Sequence, residues 1–182
     1  GSPVLNSSNY PKIIHQKHFD RLIGLMDRSK IKYGGESNAN TLQIEPTILS
    51  DITTKDAVMQ EEIFGPILPV ISFENIDEAI KIIDEFEKPL ALYYYGDSNQ
   101  AKSVLNKTSS GGACINDAMM HVANPNLPFG GVGHSGYGAY HGYESFLCFS
   151  HRKAVVTTPT WIDLPFKYVP FKGFKWLKKF MT

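Results

Sequence analysis

Apolar runs alternate with amphipathic segments in the middle of the chain, and this alternation constrains the fold more than any other feature. Mostly apolar runs at 67–73, 90–95 and 113–116 are typical of strands buried in a parallel sheet. The segments between them, 76–87 and 97–106, carry apolar residues at helical spacing. This order predicts an α/β fold with an open, mainly parallel sheet and flanking helices.

The N-terminal third combines one helix with short strands. Residues 12–30 place apolar side chains at three-to-four spacing, which predicts a surface helix with one buried face. Its stripe is formed by Ile14, His18 or Phe19, Leu22, Leu25 and Met26. Residues 31–52 alternate turn formers with β-rich runs and predict two or three short strands. Farther along, we expect Asn75 to cap the second helix and Pro89 to prevent its continuation.

Composition excludes several classes of protein. The chain has 182 residues, 18 Lys and Arg against 18 Asp and Glu, and two cysteines. Because its formal net charge is zero, no nucleic acid partner is expected. Cys114 and Cys148 are far apart, which favours a reducing, cytoplasmic compartment. No apolar run approaches the length of about 18 residues that a membrane span needs.

Residues 124–142 contain two prolines and six glycines without a helical or strand period. Glycine allows close backbone approach, and long irregular loops in compact domains are usually functional. The aromatic residues Phe129, Tyr137 and Tyr140 argue against a solvated linker. Residues 131–136 match G-x-G-x-x-G, but they lack the preceding strand and following helix of a dinucleotide fingerprint.

The cysteines and histidines of this region indicate no separate catalytic or metal site. Cys114 has no sequence neighbour that would favour its thiolate, so we expect a core residue. No metal is expected either, because the spacing of nearby histidines matches no zinc template; these are His121, His134, His141 and His151.

The segment Glu-Glu-Ile-Phe-Gly-Pro at 61–66 precedes the first buried run. A carboxylate at this point could accept two sugar hydroxyl hydrogen bonds while the aromatic ring packs on a flat heterocycle. A capped turn explains the same residues equally well, so the pattern alone leaves both interpretations open.

Four motifs together resemble the NAD(P)-dependent aldehyde dehydrogenases, in particular the class 3 and fatty aldehyde branch. They are Glu-Glu-Ile-Phe-Gly-Pro at 61–66, Gly-Gly-Ala-Cys-Ile-Asn-Asp at 111–117, the stretch from Leu-Pro-Phe-Gly-Gly to Gly-Ala-Tyr-His-Gly at 127–142, and Phe-Ser-His-Arg at 149–152. The likeness covers about residues 10–158 in the expected order.

The resemblance implies a role for several residues. Glu62 would bind the nicotinamide ribose hydroxyls of NAD or NADP, and Phe64 would pack near the nicotinamide ring. Phe129 would line the pocket for a small-molecule aldehyde, with three further residues close by: Asn116, Tyr140 and His141.

In the family, a cysteine thiolate attacks the aldehyde, the thiohemiacetal gives hydride to the cofactor, and a glutamate-activated water hydrolyses the thioester. Its nucleophile, general base and nucleotide-binding domain precede the segment matched here, so no catalytic residue is assigned. The chain also opens at Gly1 without an initiator Met, so it is tagged, processed or cut from something longer. We therefore expect a catalytically incomplete C-terminal portion of the catalytic domain; the alternative is a non-catalytic nucleotide-binding or protein-interaction module.

Three regions are expected along the chain. Residues 1–145 would be the partial catalytic domain, and residues 146–160 an oligomerisation strand ending at Pro159 and pairing across a homodimer. Residues 161–182 form a basic, aromatic tail. A short helix docked on protein is the preferred interpretation of this tail, and contact with a membrane surface is the other.

Overall fold

The computed structural model describes Val4, Leu5 and residues 7–164, 167–170, 173, 175, 178 and 179. The chain divides into two compact units, residues 1–148 and residues 149–182. The first unit contains all of the helices and strands named below.

The core of the first unit forms around helix α1, Gln16–Leu25. His15 caps the helix by accepting a hydrogen bond from the His18 N–H at 3.0 Å. The predicted apolar face is confirmed at Phe19, the side chain that is buried where the sequence left a choice with His18. Ile14, by contrast, precedes the helix and is 83% exposed. The buried cluster consists of Phe19, Leu22, Leu25, Met26, Ile44, Leu49, Ile52, Val58 and Ile67.

A mixed three-stranded sheet packs against this helix. After a 3-10 turn at Arg28–Lys30, strand β1 (Ile31–Tyr33) runs antiparallel to β4 (Thr47–Leu49), and β5 (Ile67–Pro69) runs parallel to β4. Strands β2 (Ser37–Asn38) and β3 (Gln43–Ile44) form a separate antiparallel pair. A second 3-10 turn, Ala57–Met59, precedes β5.

The second parallel pair is β6 (Ala91–Tyr94) with β7 (Gly112–Ile115), connected by α3 (Ser98–Lys107). Helix α2 (Ile76–Asp84) precedes β6 and is capped by Asn75, as predicted. The α/β class and the order of the larger elements are confirmed, while residues 31–49 form four short strands rather than two or three. The single sheet expected for the three apolar runs is divided, because β5 pairs with β4 rather than with β6, and Pro69 has no N–H to extend its ladder.

The glycine-rich segment folds back on itself after the short helix α4 (Met120–Ala123). Phe129 and Tyr140 form an antiparallel bridge with backbone N···O distances of 3.0 and 2.9 Å. A 3-10 turn, Gly133–Ser135, lies inside this loop, and α5 (Gly142–Cys148) follows it. Phe146 and Cys148, which were expected to begin the closing strand, are therefore helical.

In the second unit, residues 149–159 form neither helix nor strand. An extended segment needs a partner edge to satisfy its backbone groups, so the rest of the oligomerisation strand stays a prediction. Much of the expected tail helix lies outside the described residues. Within the described part of the chain, no helix is long and apolar enough to cross a membrane.

Candidate functional site

Arg21 on α1 holds the turn that carries Glu62 and Phe64. Its Nη1 donates to Glu61 Oε1 at 2.9 Å and to the Glu62 carbonyl at 3.2 Å, while Nη2 donates to the Ile63 carbonyl. His18, one turn earlier on α1, has its Nε2 3.0 Å from the Phe64 carbonyl oxygen. The helix therefore binds this turn through consecutive backbone carbonyls.

The two predicted cofactor residues project from this turn. The Phe64 ring is 78% exposed, and its backbone adopts φ 47°, in the left-handed region. The Glu62 side chain is exposed, and its carboxylate has no hydrogen-bond or ion-pair partner among the described residues. Both groups are thus available to a ligand, whereas Glu61 is engaged by Arg21.

Glu62 lies in a cleft that also involves the glycine-rich segment. The cleft has a volume of about 690 Å³ and is lined by residues 59–62, 86–90 and 134–135. Within it, His134 Nδ1 lies 3.3 Å from Glu87 Oε1. Two motifs that are about 70 residues apart in sequence are therefore brought to the same cleft by the fold.

Phe129, Tyr140 and His141, the residues that the resemblance assigned to the aldehyde pocket or its surroundings, form one aromatic cluster. The Phe129 ring is stacked with the His141 ring at 5.9 Å and meets the Tyr140 ring edge-on at 5.7 Å. Its other neighbour is His121, at 5.5 Å. This cluster joins the glycine-rich segment to α4.

His121 is a residue of this cluster to which the sequence assigned no role. It is 7% exposed, and its Nδ1 lies 3.4 Å from Cys114 Sγ. It also meets the Tyr93 ring edge-on at 5.7 Å. Cys114, expected in the core, is only half-buried because it lies in a pair of strands whose faces are partly open.

Asn116 directly follows β7 and contacts Gly96 rather than the aromatic cluster. No hydrogen bond joins Asn116 to that cluster among the described residues. Its side chain forms hydrogen bonds with both backbone groups of Gly96, in the loop after β6. Asn116 thus sets the relative positions of two strand ends, where ligands bind in open α/β sheets.

Close backbone packing explains two of the glycines. A Cβ on Gly130 would lie 2.1 Å from the Gly138 carbonyl oxygen, and one on Gly131 would lie 2.0 Å from that of Ser135. The chain can fold back in this way only if these positions lack side chains. No group of three or more potential metal ligands is found among the described residues.

Sequence reasoning missed Arg21, His18 and His121. His18 and Arg21 stand three residues apart beside the apolar stripe of a helix, and such a pair faces one direction. That spacing was a usable signal for a common partner. The pairing of His121 with Cys114 had none, because it depends on α4 turning back over β7.

Comparison with known proteins identifies the family. The model of the aldehyde dehydrogenase family matches residues 1–155. Aldehyde dehydrogenase family 3 member A2 of Rattus norvegicus is 51% identical over 84% of this chain and 32% of its own length. The dimeric NADP-preferring aldehyde dehydrogenase of Mus musculus is 47% identical over 85% of this chain and 34% of its own length.

A solved structure gives the same result. The substrate-bound state of Staphylococcus aureus AldH superposes with a TM-score of 0.85 at 44% identity, covering 100% of this chain and 41% of that one. The chain therefore spans about a third to two fifths of the length of these relatives. The motifs, the fold and the family match agree, and the chain belongs to the aldehyde dehydrogenase family.

Proposed function

We propose that this chain supplies part of the site at which an NAD(P)-dependent aldehyde dehydrogenase oxidises aldehydes to carboxylic acids. The observation that carries the proposal is the turn at 61–66, where an unpartnered Glu62 carboxylate and an exposed Phe64 ring stand two residues apart. Both side chains face solvent while their backbone is held by α1.

The residues present suit the nicotinamide end of the cofactor. A carboxylate accepts hydrogen bonds at two oxygens, so Glu62 can receive both hydroxyls of a ribose. Phe64 offers an apolar face to a flat ring. When bound, NAD(P) would accept the hydride that leaves the substrate carbon. The role of these residues is to orient the cofactor for that transfer.

The aromatic cluster suits one wall of the aldehyde pocket. Phe129 is half-buried and Tyr140 is 52% exposed, so each retains surface that a substrate could cover. Together with His141 they offer aromatic ring faces, against which an aldehyde of low polarity could pack. Asn116 would act beside this pocket by holding the strand ends in place.

We assign no nucleophile or general base to these residues. The Cys114 thiol faces His121 within the aromatic cluster, and Cys148 lies on α5. Replacing Cys114 by alanine in the product of the native gene should therefore preserve aldehyde oxidation. A loss of thioester formation in Cys114→Ala, with unchanged thermal stability, would make Cys114 the nucleophile and contradict this assignment.

We further propose a homodimer in the cytoplasm. The mouse relative is named as dimeric and NADP-preferring, and an aldehyde dehydrogenase of Mycobacterium tuberculosis has been solved with NAD+. Cys114 and Cys148 are both free thiols, which suits a reducing compartment. Light scattering of the native gene product should give twice the protomer mass, and a monomeric mass would contradict the dimer.

The activity is tested by aldehyde-dependent formation of NADH or NADPH by the native gene product. Glu62→Gln should weaken cofactor binding about tenfold, as expected when a charged hydrogen-bonding partner is lost. Glu74→Gln, an exposed site outside the cleft, is the matched control. Cofactor binding that depends on Glu62 without any aldehyde oxidation would instead favour a non-catalytic nucleotide-binding module.

A further inference from the structure

We propose that Arg21 is a positioning residue for the cofactor, acting through the turn that carries Glu62 and Phe64. This inference rests on the function proposed above. All three guanidinium nitrogens of Arg21 are engaged, because Nε donates to His18 Nδ1 at 3.3 Å while Nη1 and Nη2 donate to the turn. Arg21 touches neither cofactor nor substrate in this scheme.

Arg21 also determines the tautomer of His18. An arginine can only donate hydrogen bonds, so the His18 Nδ1 that receives its Nε–H carries no proton. The proton of neutral His18 is then on Nε2, which donates to the Phe64 carbonyl at 3.0 Å. Arg21 therefore controls three consecutive carbonyls: those of Glu62 and Ile63 directly, and that of Phe64 through His18.

The turn needs such support because Phe64 is conformationally strained. A non-glycine residue with φ near 47° occupies a region that costs about 1–2 kcal/mol and persists only when its surroundings enforce it. The Phe64 side chain adds little to this support, since the residue is 78% exposed and its ring meets the His18 ring at a centroid distance of 6.5 Å. The hydrogen bonds from α1 act on the backbone on both sides of the strained peptide.

Geometry also explains why arginine occupies this position. The planar guanidinium reaches one carboxylate oxygen and two carbonyls while its Nε faces His18. Lysine presents a single point charge and cannot bridge these groups at once. Only the contact with Glu61 is an ion pair at the surface, and such pairs contribute little. The carbonyl contacts should therefore carry most of the effect.

The first arm of the test measures the turn without any cofactor. A protease specific for glutamate is applied to the native gene product, and cleavage after Glu62 is compared with cleavage after Glu74. We expect Arg21→Gln and Arg21→Lys to accelerate cleavage after Glu62 about tenfold or more, because two charged hydrogen bonds to the turn are lost, and to leave cleavage after Glu74 unchanged. Glu61→Gln, which removes only the ion pair, and Arg28→Gln should leave both rates unchanged.

The second arm measures steady-state kinetics of the same variants. Arg21→Gln should raise the KM for NAD(P) about tenfold, because the turn that carries Glu62 and Phe64 loses its hydrogen bonds to Arg21. The KM for the aldehyde should stay unchanged. General destabilisation would instead accelerate cleavage at both sites and lower kcat without a selective rise in the cofactor KM, which would overturn the inference. Unchanged cleavage after Glu62, or faster cleavage with an unchanged cofactor KM, would also overturn it. If Glu62→Gln leaves the cofactor KM unchanged, the proposed function of Glu62 fails. The protease arm uses no cofactor, so it still tests whether Arg21 holds the turn.

Discussion

Asn116 and Gly96 are joined by a reciprocal pair of hydrogen bonds across the ends of two parallel strands. Asn116 Oδ1 accepts from the Gly96 N–H at 2.7 Å, and Nδ2 donates to the Gly96 carbonyl at 3.0 Å. Asn116 itself has φ 56°, a conformation that asparagine tolerates better than most residues. One side chain thus links the loop after β6 to the loop after β7.

This pair predicts a specific effect of Asn116→Asp. Aspartate accepts the left-handed conformation, but its carboxylate cannot donate to the Gly96 carbonyl and repels it. We expect the free energy of unfolding to fall by about 1–2 kcal/mol, as measured by urea denaturation. Asn126→Asp, an exposed change in the glycine-rich segment, serves as control. Equal effects of the two variants would contradict the role of the reciprocal pair.

The close approach at Gly130 predicts that alanine is not tolerated there. Because the added Cβ would meet a backbone oxygen at 2.1 Å, we expect Gly130→Ala to destabilise the protein by about 2–3 kcal/mol. Gly24→Ala on α1 is the matched change, since its Cβ would have no atom within 4 Å. It should be neutral or stabilising by up to about 1 kcal/mol. Thermal melting of both variants measures the difference, and similar losses would refute the packing argument.

Phe129 should stabilise the glycine-rich segment through its ring contacts. Phe129→Ala removes the contacts with His121, Tyr140 and His141. We expect a loss of about 2–3 kcal/mol, below the range for a fully buried phenylalanine because the ring is half-exposed. Tyr137→Ala, at a side chain that is 99% exposed, should change stability by less than about 0.5 kcal/mol. A large effect at Tyr137 in urea denaturation would count against this prediction.

Asp56 predicts a defined dependence of stability on pH. Hydrogen bonds from Lys30 and Thr53 lower the pKa of its carboxyl from 3.8 to about 2. Between pH 3.8 and about 2, the folded state therefore keeps the carboxylate ionised, whereas the unfolded state already binds a proton. This stabilisation is complete above pH 3.8 and is lost as pH falls through about 2.

Asp56→Asn should accordingly lower Tm at neutral pH. The Tm difference between this variant and the unmodified protein should narrow as the pH falls from 3.8 to about 2. Calorimetry over this interval measures the change. Lys30→Met should show the same narrowing, because Lys30 Nζ and Asp56 Oδ1 are 2.6 Å apart. A Tm difference that stays constant down to pH 2 would contradict the assignment.

Local signals in the sequence were sufficient for most of the elements. The cap at Asn75 and the apolar spacing after it predicted α2, because capping and amphipathic packing act within a few residues. The motif at 61–66 likewise marked Glu62 and Phe64 as candidates before any geometry was known. The helix at residues 146–148 was missed, because the apolar Phe146 and Cys148 also suit the start of a strand.

By itself, then, the sequence determined the α/β elements, the candidate residues and the resemblance to a family, since these depend on short spacings and ordered motifs. Only the tertiary structure decided that β5 pairs with β4, that His121 faces Cys114, and that Arg21 holds the turn of Glu62. Such contacts join residues that are far apart in the chain or face each other only after a helix turns back. Their free energy depends on three-dimensional geometry that no local pattern encodes.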